Sequence, residues 1–127
     1  MLLSIALGLS AGVLKAIDAG ITLTTDNKTS KDITAKIYHK VTDSTGNVTT
    51  KKEVFTIAAK SKDKNRSISY PKITKITFED DSTLFAKDGS DNDIITSKDI
   101  NAAAKKEFTV KLESLKRHGE TATVTSK

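Results

Sequence analysis

The hydrophobic pattern of the chain changes character at Gly20. Residues 1–20, MLLSIALGLSAGVLKAIDAG, are almost entirely apolar or small. From Ile21 onward polar residues are frequent, and apolar residues recur at every second position over short stretches. A period of two is typical of half-buried strands, whereas helical spacing in a longer apolar segment indicates an amphipathic helix. The pattern therefore predicts two parts, an N-terminal apolar helix over residues 1–20 and a β-sandwich domain over residues 21–127.

Helical spacing places the residues of the first segment on two unequal faces. The large members of the broad apolar face and its flanks are Leu2, Leu3, Ile5, Leu9, Val13, Leu14 and Ile17. The opposite stripe is narrow and contains Ser4, Gly8, Ala11, Lys15 and Asp18. Eighteen helical residues extend about 27 Å, close to the bilayer core of about 30 Å. The segment is thus predicted to form an amphipathic helix with a wide apolar arc.

Three interpretations of this segment stay open at the level of sequence. A secretory signal peptide would account for the apolar stretch and the small residues near Ala16 and Ala19, although the usual basic start is missing. A helix packed on the β-domain is the second interpretation. A helix that enters or lies on a membrane is the third, and apolar length alone does not separate the last two.

The clearest strand signal covers residues 33–41, where Ile33, Ala35, Ile37, His39 and Val41 share one face. Similar alternation predicts strands around Ile21 and Leu23, Phe55 and Ile57, Ile68 and Tyr70, Thr74 and Phe78, Phe108 and Leu112, and Ala122 and Val124. Residues 84–86 are a further candidate. Residues 43–47 have the composition of a hairpin turn, and residues 61–65 that of a charged loop. Short strands at this spacing predict a mainly β protein, a small antiparallel β-sandwich, with one short helix near residues 99–106.

One short sequence occurs twice. Thr29-Ser-Lys-Asp-Ile33 is repeated as Thr96-Ser-Lys-Asp-Ile100. An internal duplication would suit two similar sheets. In a chain rich in Lys, Thr, Ser and Asp, however, coincidence is the favoured interpretation.

Charge is unevenly distributed along the β-domain. The chain has a formal net charge of +5, yet residues 51–75 contain eight basic and two acidic residues, and residues 79–99 contain seven acidic and two basic residues. A basic stretch suits an exposed strand face or an anionic membrane surface. Nucleic-acid binding is not expected, because Arg66 is the one arginine of the stretch and base-stacking aromatic residues are few.

The residues available for chemistry are few. The chain has no Cys, which excludes disulfides and thiol chemistry. His39 is predicted to be a core or boundary residue, because it lies on the apolar face of its strand. The acidic residues Asp88, Asp91 and Asp93 offer oxygen ligands for calcium, but without the EF-hand spacing. A non-enzymatic protein without a cofactor is predicted, and calcium binding is a minor alternative.

An amphipathic N-terminal helix that leads into a small, basic, disulfide-free sandwich resembles the actinoporin-like pore-forming cytolysins. Residues 21–35 are similar to the first strand, turn and second strand of that family, and residues 123–127 are similar to its closing strand. Ser69, Tyr70 and Pro71 are similar to its Ser-Val-Pro element, which implies a contact with a lipid headgroup. The family's aromatic cluster has no counterpart, since Lys72, Ile73, Thr74 and Lys75 follow instead, so no headgroup specificity is implied.

Together these features predict a secreted or surface-acting, membrane-associating protein. Its partners would be a lipid membrane and other copies of itself, because one helix cannot line a pore. The sandwich would dock at the surface while the N-terminal helix inserts. The alternative is a secreted or surface β-sandwich, such as an adhesin, secretion-system or filament subunit. Its N-terminal segment would be a signal peptide, a tether or a packing helix.

Overall fold

A computed structural model describes residues 20–81, 83–87, 92–115 and 119–127 of the chain. It is mainly β, with two sheets and one short helix, as predicted. The strands are β1 (Ile21–Asn27), β2 (Ile33–Thr42), β3 (Val48–Ile57), β4 (Lys62–Ile68), β5 (Ile73–Asp80), β6 (Thr83–Leu84), β7 (Ala86–Lys87), β8 (Ile95–Thr96), β9 (Glu107–Leu115) and β10 (Gly119–Ser126), and the helix is α1 (Ser97–Ala102).

The two sheets differ in the direction of their strands. The first has the order β4-β1-β9-β10-β7, and the second has the order β3-β2-β5-β6, with β8 also paired to β5. All described pairs of the second sheet are antiparallel. In the first sheet β1 pairs with β9, and β10 with β7, in parallel. The prediction of a purely antiparallel sandwich is therefore wrong for these two pairs. For β1 and β9 the reason is that the chain after α1 returns to the end where β1 begins.

The core lies between the sheets and is built by alternation. In β2, Ile33, Ala35 and Ile37 are buried, as predicted, while the residues between them are half-buried. From the other sheet Phe108 and Val110 enter the same core. The fully buried large side chains include Phe78, Phe85, Phe108, Leu23, Ile76 and Leu112. Full burial of one such side chain stabilises the fold by about 1.5–3 kcal/mol.

Three elements differ from their sequence predictions. Residues 62–65, predicted to be part of a charged loop, belong to edge strand β4, where charged side chains are common. The candidate strand at residues 84–86 consists of two short strands separated by the buried Phe85. Helix α1 confirms the short helix but ends at Ala102, since Ala103 is extended, with φ −78° and ψ 123°, and is buried.

Helix α1 begins with a reciprocal cap. The Thr96 hydroxyl accepts a hydrogen bond from the Asp99 backbone N–H, and the Asp99 carboxylate accepts one from the Thr96 backbone N–H at 2.9 Å. Such a capping box satisfies two donors that the first turn would otherwise leave unpaired. The helix is only six residues long, and besides this cap it is held by the buried Ile100 and by the contact of Asp99 with Lys87 at 2.9 Å.

Candidate functional site

One end of the sandwich is where the chain enters the fold. Ile21, the first residue of β1, is paired with Ile68, the last residue of β4. The segment that follows Ile68 contains Ser69, Tyr70 and Pro71, so these residues lie beside the point where residues 1–20 join the β-domain. The structure thus places Ser69, Tyr70 and Pro71 next to Gly20, the last residue of the predicted membrane segment.

Other chain segments converge on the same end of the first sheet. The Thr22 N–H donates to the Lys106 carbonyl at 2.9 Å, which places the start of β9 there. The Lys105 N–H donates to the Lys127 carbonyl at 2.9 Å, which brings the end of β10 there as well. In the second sheet, the Lys40 N–H donates to the Lys72 carbonyl at 3.1 Å, just before β5 begins.

We define the basic end by its five exposed lysines, Lys40, Lys51, Lys72, Lys105 and Lys127. Asp43 and the exposed Glu107 are carboxylates on the same end. Within the described part of the chain, none of the five lysines forms a salt bridge. The end therefore presents ammonium groups that are free to meet an external anionic surface.

At the opposite end of the sandwich, two of the lysines have carboxylate partners. Lys28 lies 3.5 Å from Asp26, and Lys31 lies 3.9 Å from Asp80 and 3.6 Å from Asp81. These pairs are partly exposed and contribute little to stability. They do neutralise one another, whereas Lys60 and Lys62, which are exposed at the same end, form no salt bridge among the described residues. The basic end is therefore distinguished by its position beside the junction at Gly20 rather than by being the sole site of unpaired lysines.

The hairpin between β2 and β3 projects from the basic end, because β5 pairs with β2 only as far as His39. Its turn at residues 43–47 confirms the sequence prediction. The Asp43 carboxylate accepts hydrogen bonds from the Thr45 hydroxyl at 2.7 Å and from the Thr45 and Asn47 N–H groups at 2.8 and 2.9 Å. These bonds hold the pKa of Asp43 below its ordinary value. Gly46 supplies the left-handed backbone that the turn requires, with φ 90°.

The side chain of His39 packs against the loop at residues 69–71 through Tyr70. It is only 3% exposed, which confirms the prediction of a core or boundary residue. Its Nε2 lies 2.9 Å from the Glu53 carboxylate, and its ring stacks on Tyr70 with centroids 4.5 Å apart. Tyr70 is therefore half-buried and held in place, while Ser69 is exposed.

A shallow groove between the edge strands β3 and β4 was not indicated by the sequence. Its volume is about 120 Å³, and Phe55, Arg66 and Tyr70 are among its lining residues. The Arg66 guanidinium lies 3.9 Å above the Phe55 ring, and its Nε donates to the Asp63 carboxylate at 2.6 Å. Because Arg66 is already engaged on both sides, the groove is a packing feature rather than an anion site.

The calcium alternative gains no support from the described residues. Asp93 lies 3.5 Å from the Lys75 ammonium, whereas Asp88 and Asp91 lie outside the described residues. Asp99 is bonded to Lys87 at 2.9 Å as well as to Thr96. Partial burial raises the pKa of Asp99, but these hydrogen bonds outweigh it and hold the pKa below its ordinary value. Among the described residues, no three potential metal ligands lie together.

The residues of the predicted N-terminal helix lie outside the described residues. They are the apolar set Leu2, Leu3, Ile5, Leu9, Val13, Leu14 and Ile17 and the polar stripe Ser4, Gly8, Ala11, Lys15 and Asp18. In the part of the chain that the structure describes, no helix has the length and apolar character needed to cross a bilayer.

Comparison with known proteins gives no relative from which a function could be transferred. The chain matches no protein family, no curated protein and no solved structure.

Proposed function

We propose that this protein associates with anionic membranes through the basic end, and that the apolar segment before Gly20 inserts into the lipid. The observation that carries the proposal is that both features meet at one place. The pairing of Ile21 with Ile68 places the junction with residues 1–20 at the end that presents Lys72, Lys105 and Lys127.

The charges and the apolar segment would contribute in different ways. A lysine near an anionic leaflet contributes about 1 kcal/mol, and the attraction decays within a Debye length. Five lysines at one end would therefore supply at most about 5 kcal/mol. Insertion of the apolar arc adds a term that salt does not screen. Docking by charge would then precede insertion, and it would concentrate several copies on one surface.

A pore would require such self-association. In the proposed assembly, the apolar face with Leu9 and Val13 contacts lipid, and the stripe with Gly8 and Lys15 faces water or neighbouring helices. This arrangement keeps polar groups out of the hydrocarbon. The sandwich itself remains at the surface as the docking module.

The docking step is tested by binding to vesicles of phosphatidylserine and phosphatidylcholine. The triple variant Lys72→Glu, Lys105→Glu, Lys127→Glu should lose binding. The matched control Lys62→Glu, Lys64→Glu, Lys111→Glu reverses three exposed lysines elsewhere with the same change in net charge. It should keep most of the binding. Equal losses in both variants would reduce the effect to overall charge and refute a role for the basic end.

The insertion step is tested by dye leakage from the same vesicles. Full-length protein should cause leakage, and protein without residues 1–20 should not. Val13→Glu on the apolar face should abolish leakage, whereas Gly8→Glu on the polar stripe should preserve it. Leakage that does not depend on residues 1–20, or no leakage at all, would contradict the proposal.

A second candidate function is a non-enzymatic surface or filament subunit, in the manner of an adhesin or secretion-system component. The observation that favours it is the long open edge of β3, which could pair with another strand. Mass spectrometry of the secreted protein distinguishes the two candidates. A mature N-terminus near Ile21 would remove the inserting segment and favour the subunit.

A further inference from the structure

Strand β3 differs from the other edge strands of the described sheets. It is ten residues long and forms one edge of the second sheet. The opposite edges are formed by β6, β7 and β8, which are two residues each. The remaining edge, β4, is interrupted by a register shift opposite Leu23 and Thr25 and by Asn65 at φ 52°. Such bulges and short strands block edge pairing, so β3 is the long uninterrupted edge among the described strands.

The outward side of β3 also carries exposed apolar groups. Val48 is 58% exposed and Val54 is 54% exposed, the two highest values among the large hydrophobic residues of the described structure. Both lie on the same face, because they are separated by an even number of positions. A long edge with exposed valines is suited to pairing with another strand.

The hydrogen-bond pattern identifies which backbone groups are available. The Lys40 N–H donates to the Lys72 carbonyl. The backbone N–H and C=O groups of the even-numbered residues of β2 therefore point toward β5, and those of the odd-numbered residues point toward β3. In the β2–β3 register, odd residues oppose odd residues, for example His39 and Lys51. Because the direction of backbone groups alternates along a strand, the even-numbered residues of β3 direct their N–H and C=O groups away from the sheet. These residues are Val48, Thr50, Lys52, Val54 and Thr56.

The charges of β3 match those of a second β3 in one register. In an antiparallel pair related by a two-fold axis, the residue on the axis faces itself. With Lys52 on the axis, Lys51 faces Glu53 of the other copy, and this pair of opposite charges occurs twice. Lys52 then faces itself, but the two opposite-charge pairs outnumber this single like-charge pair. A shift of two positions would remove both opposite-charge pairs and still leave one like-charge pair, with Lys51 or Glu53 opposite itself, which is destabilising.

We infer that β3 is a dimerisation edge, at which two copies of this chain pair in an antiparallel manner with Lys52 on the two-fold axis. Residues 48–56 of each copy are then paired, and Val54 packs beside Thr50 of the second copy. The two Lys52 side chains face each other on the exposed side of the sheet, where solvent screens them. The inference is independent of membrane binding.

Cysteine cross-linking tests the register directly, because the chain contains no Cys. In the full-length protein, Lys52→Cys should form a disulfide-linked dimer rapidly under mild oxidation. A disulfide requires Cα atoms within about 7 Å, which residues facing each other across two strands satisfy. Thr50→Cys is the control. Residue 50 is exposed on the same face, but it faces Val54 of the second copy, so the two introduced cysteines are four positions apart along the paired strands.

Two further variants probe the shifted registers. Lys51→Cys and Glu53→Cys would cross-link fastest if those residues faced themselves, and either result would overturn the inferred register. Equal rates for Thr50→Cys and Lys52→Cys would indicate random collisions and overturn the inference. A protein that sediments as a monomer over a wide concentration range would overturn it as well, including the case in which another segment of the same chain occupies the edge.

A proline variant separates pairing from folding. Lys52→Pro removes the N–H that points outward and leaves the bonds to β2 in place. Two hydrogen bonds across the axis are lost, so the dimer dissociation constant should rise at least about tenfold. The circular dichroism spectrum should remain that of the parent protein. A folded Lys52→Pro variant with the parent's dissociation constant would contradict the inference.

Discussion

The substitution Asn27→Asp should destabilise the fold strongly, although it changes one atom. Asn27 is 1% exposed and lies at the end of β1. Its Nδ2 group donates to the carbonyls of Lys31, Ile57 and Ala58 at 2.8, 3.2 and 3.1 Å. Its Oδ1 accepts from the Thr29 N–H at 2.9 Å. The side chain therefore joins β1 to the connection before β2 and to the end of β3.

The magnitude follows from the donors that the carboxylate lacks. The introduced carboxylate can still accept a hydrogen bond from the Thr29 N–H. It has no N–H or O–H group, however, to donate to the three carbonyl oxygens. The Ile57 carbonyl is buried, and an unsatisfied buried group costs about 1–3 kcal/mol. A buried carboxylate without a positive partner adds several kcal/mol. We expect a loss of about 4 kcal/mol at neutral pH, a large part of the roughly 5–15 kcal/mol typical of a domain.

The destabilisation caused by Asn27→Asp should increase as the pH rises. Burial among carbonyl oxygens favours the protonated acid, so the pKa of the carboxyl group introduced by Asn27→Asp should lie above the unfolded value of about 3.9. The protonated acid can donate one hydrogen bond, so the deficit should be smallest below a pH of about 4 and grow as pH rises toward the folded pKa. Urea denaturation at several pH values measures it.

The control is Asn65→Asp, in which the residue is exposed and its Oδ1 is an acceptor that aspartate retains. Its free energy of unfolding should change by no more than about 0.5 kcal/mol. A deficit for Asn27→Asp below about 1 kcal/mol, or one that is constant across the acid range, would refute the reasoning.

Three further predictions concern local stability. Thr96→Ala removes the cap of α1 and should lower the free energy of unfolding in urea by about 1 kcal/mol. Because the pKa of Asp99 is lowered in the folded protein, its stabilisation is present above about pH 4 and is lost as pH falls through the folded pKa. Asp99→Asn should therefore lose less stability than the parent protein when the pH is lowered. An equal loss in both proteins would argue against this reasoning. Gly46→Ala meets no atom within 4 Å but must adopt φ 90°, so calorimetry should show a loss of about 1–2 kcal/mol from backbone strain alone.

The local features of the fold are predictable from sequence because they depend on near neighbours. The alternation in β2 and β9 follows from a period of two, and the turn at residues 43–47 from side chains that bond their own backbone. The parallel pairing of β1 with β9 is not predictable in this way, since it joins residues far apart in the chain, such as Thr22 and Glu107, and depends on where α1 returns the chain.

The basic end shows the same limit at the level of the site. The excess of lysine over residues 51–75 is visible in sequence, yet Lys40, Lys105 and Lys127 of the basic end come from outside it. Only the strand pairing shows that they share one end with the junction at Gly20. Sequence also hides the difference between lysines that have carboxylate partners, such as Lys31, and those that have none among the described residues.

The repeated pentapeptide illustrates how context decides local structure. In the first copy the Thr29 hydroxyl bonds to Asn27, and Ile33 begins β2. In the second copy Thr96 caps α1, and Ile100 is a helical core residue. Both isoleucines are buried, but the backbone around them is extended in one case and helical in the other. The repeat therefore does not correspond to two similar structural units, in agreement with the interpretation as coincidence.

The two proposals together predict that dimerisation at β3 opposes docking on a single membrane. Antiparallel pairing of β3 points the two chains in opposite directions, so the basic ends would lie at opposite ends of the dimer. A dimer locked by Lys52→Cys should then bridge two vesicles, and vesicle turbidity should rise and reverse with a reducing agent. The same locked dimer should cause less leakage than the reduced protein, because its copies cannot crowd on one surface. Equal leakage and no bridging, with the cross-link verified by mass spectrometry, would show that the basic end is not the docking surface, or that the two ends do not point apart.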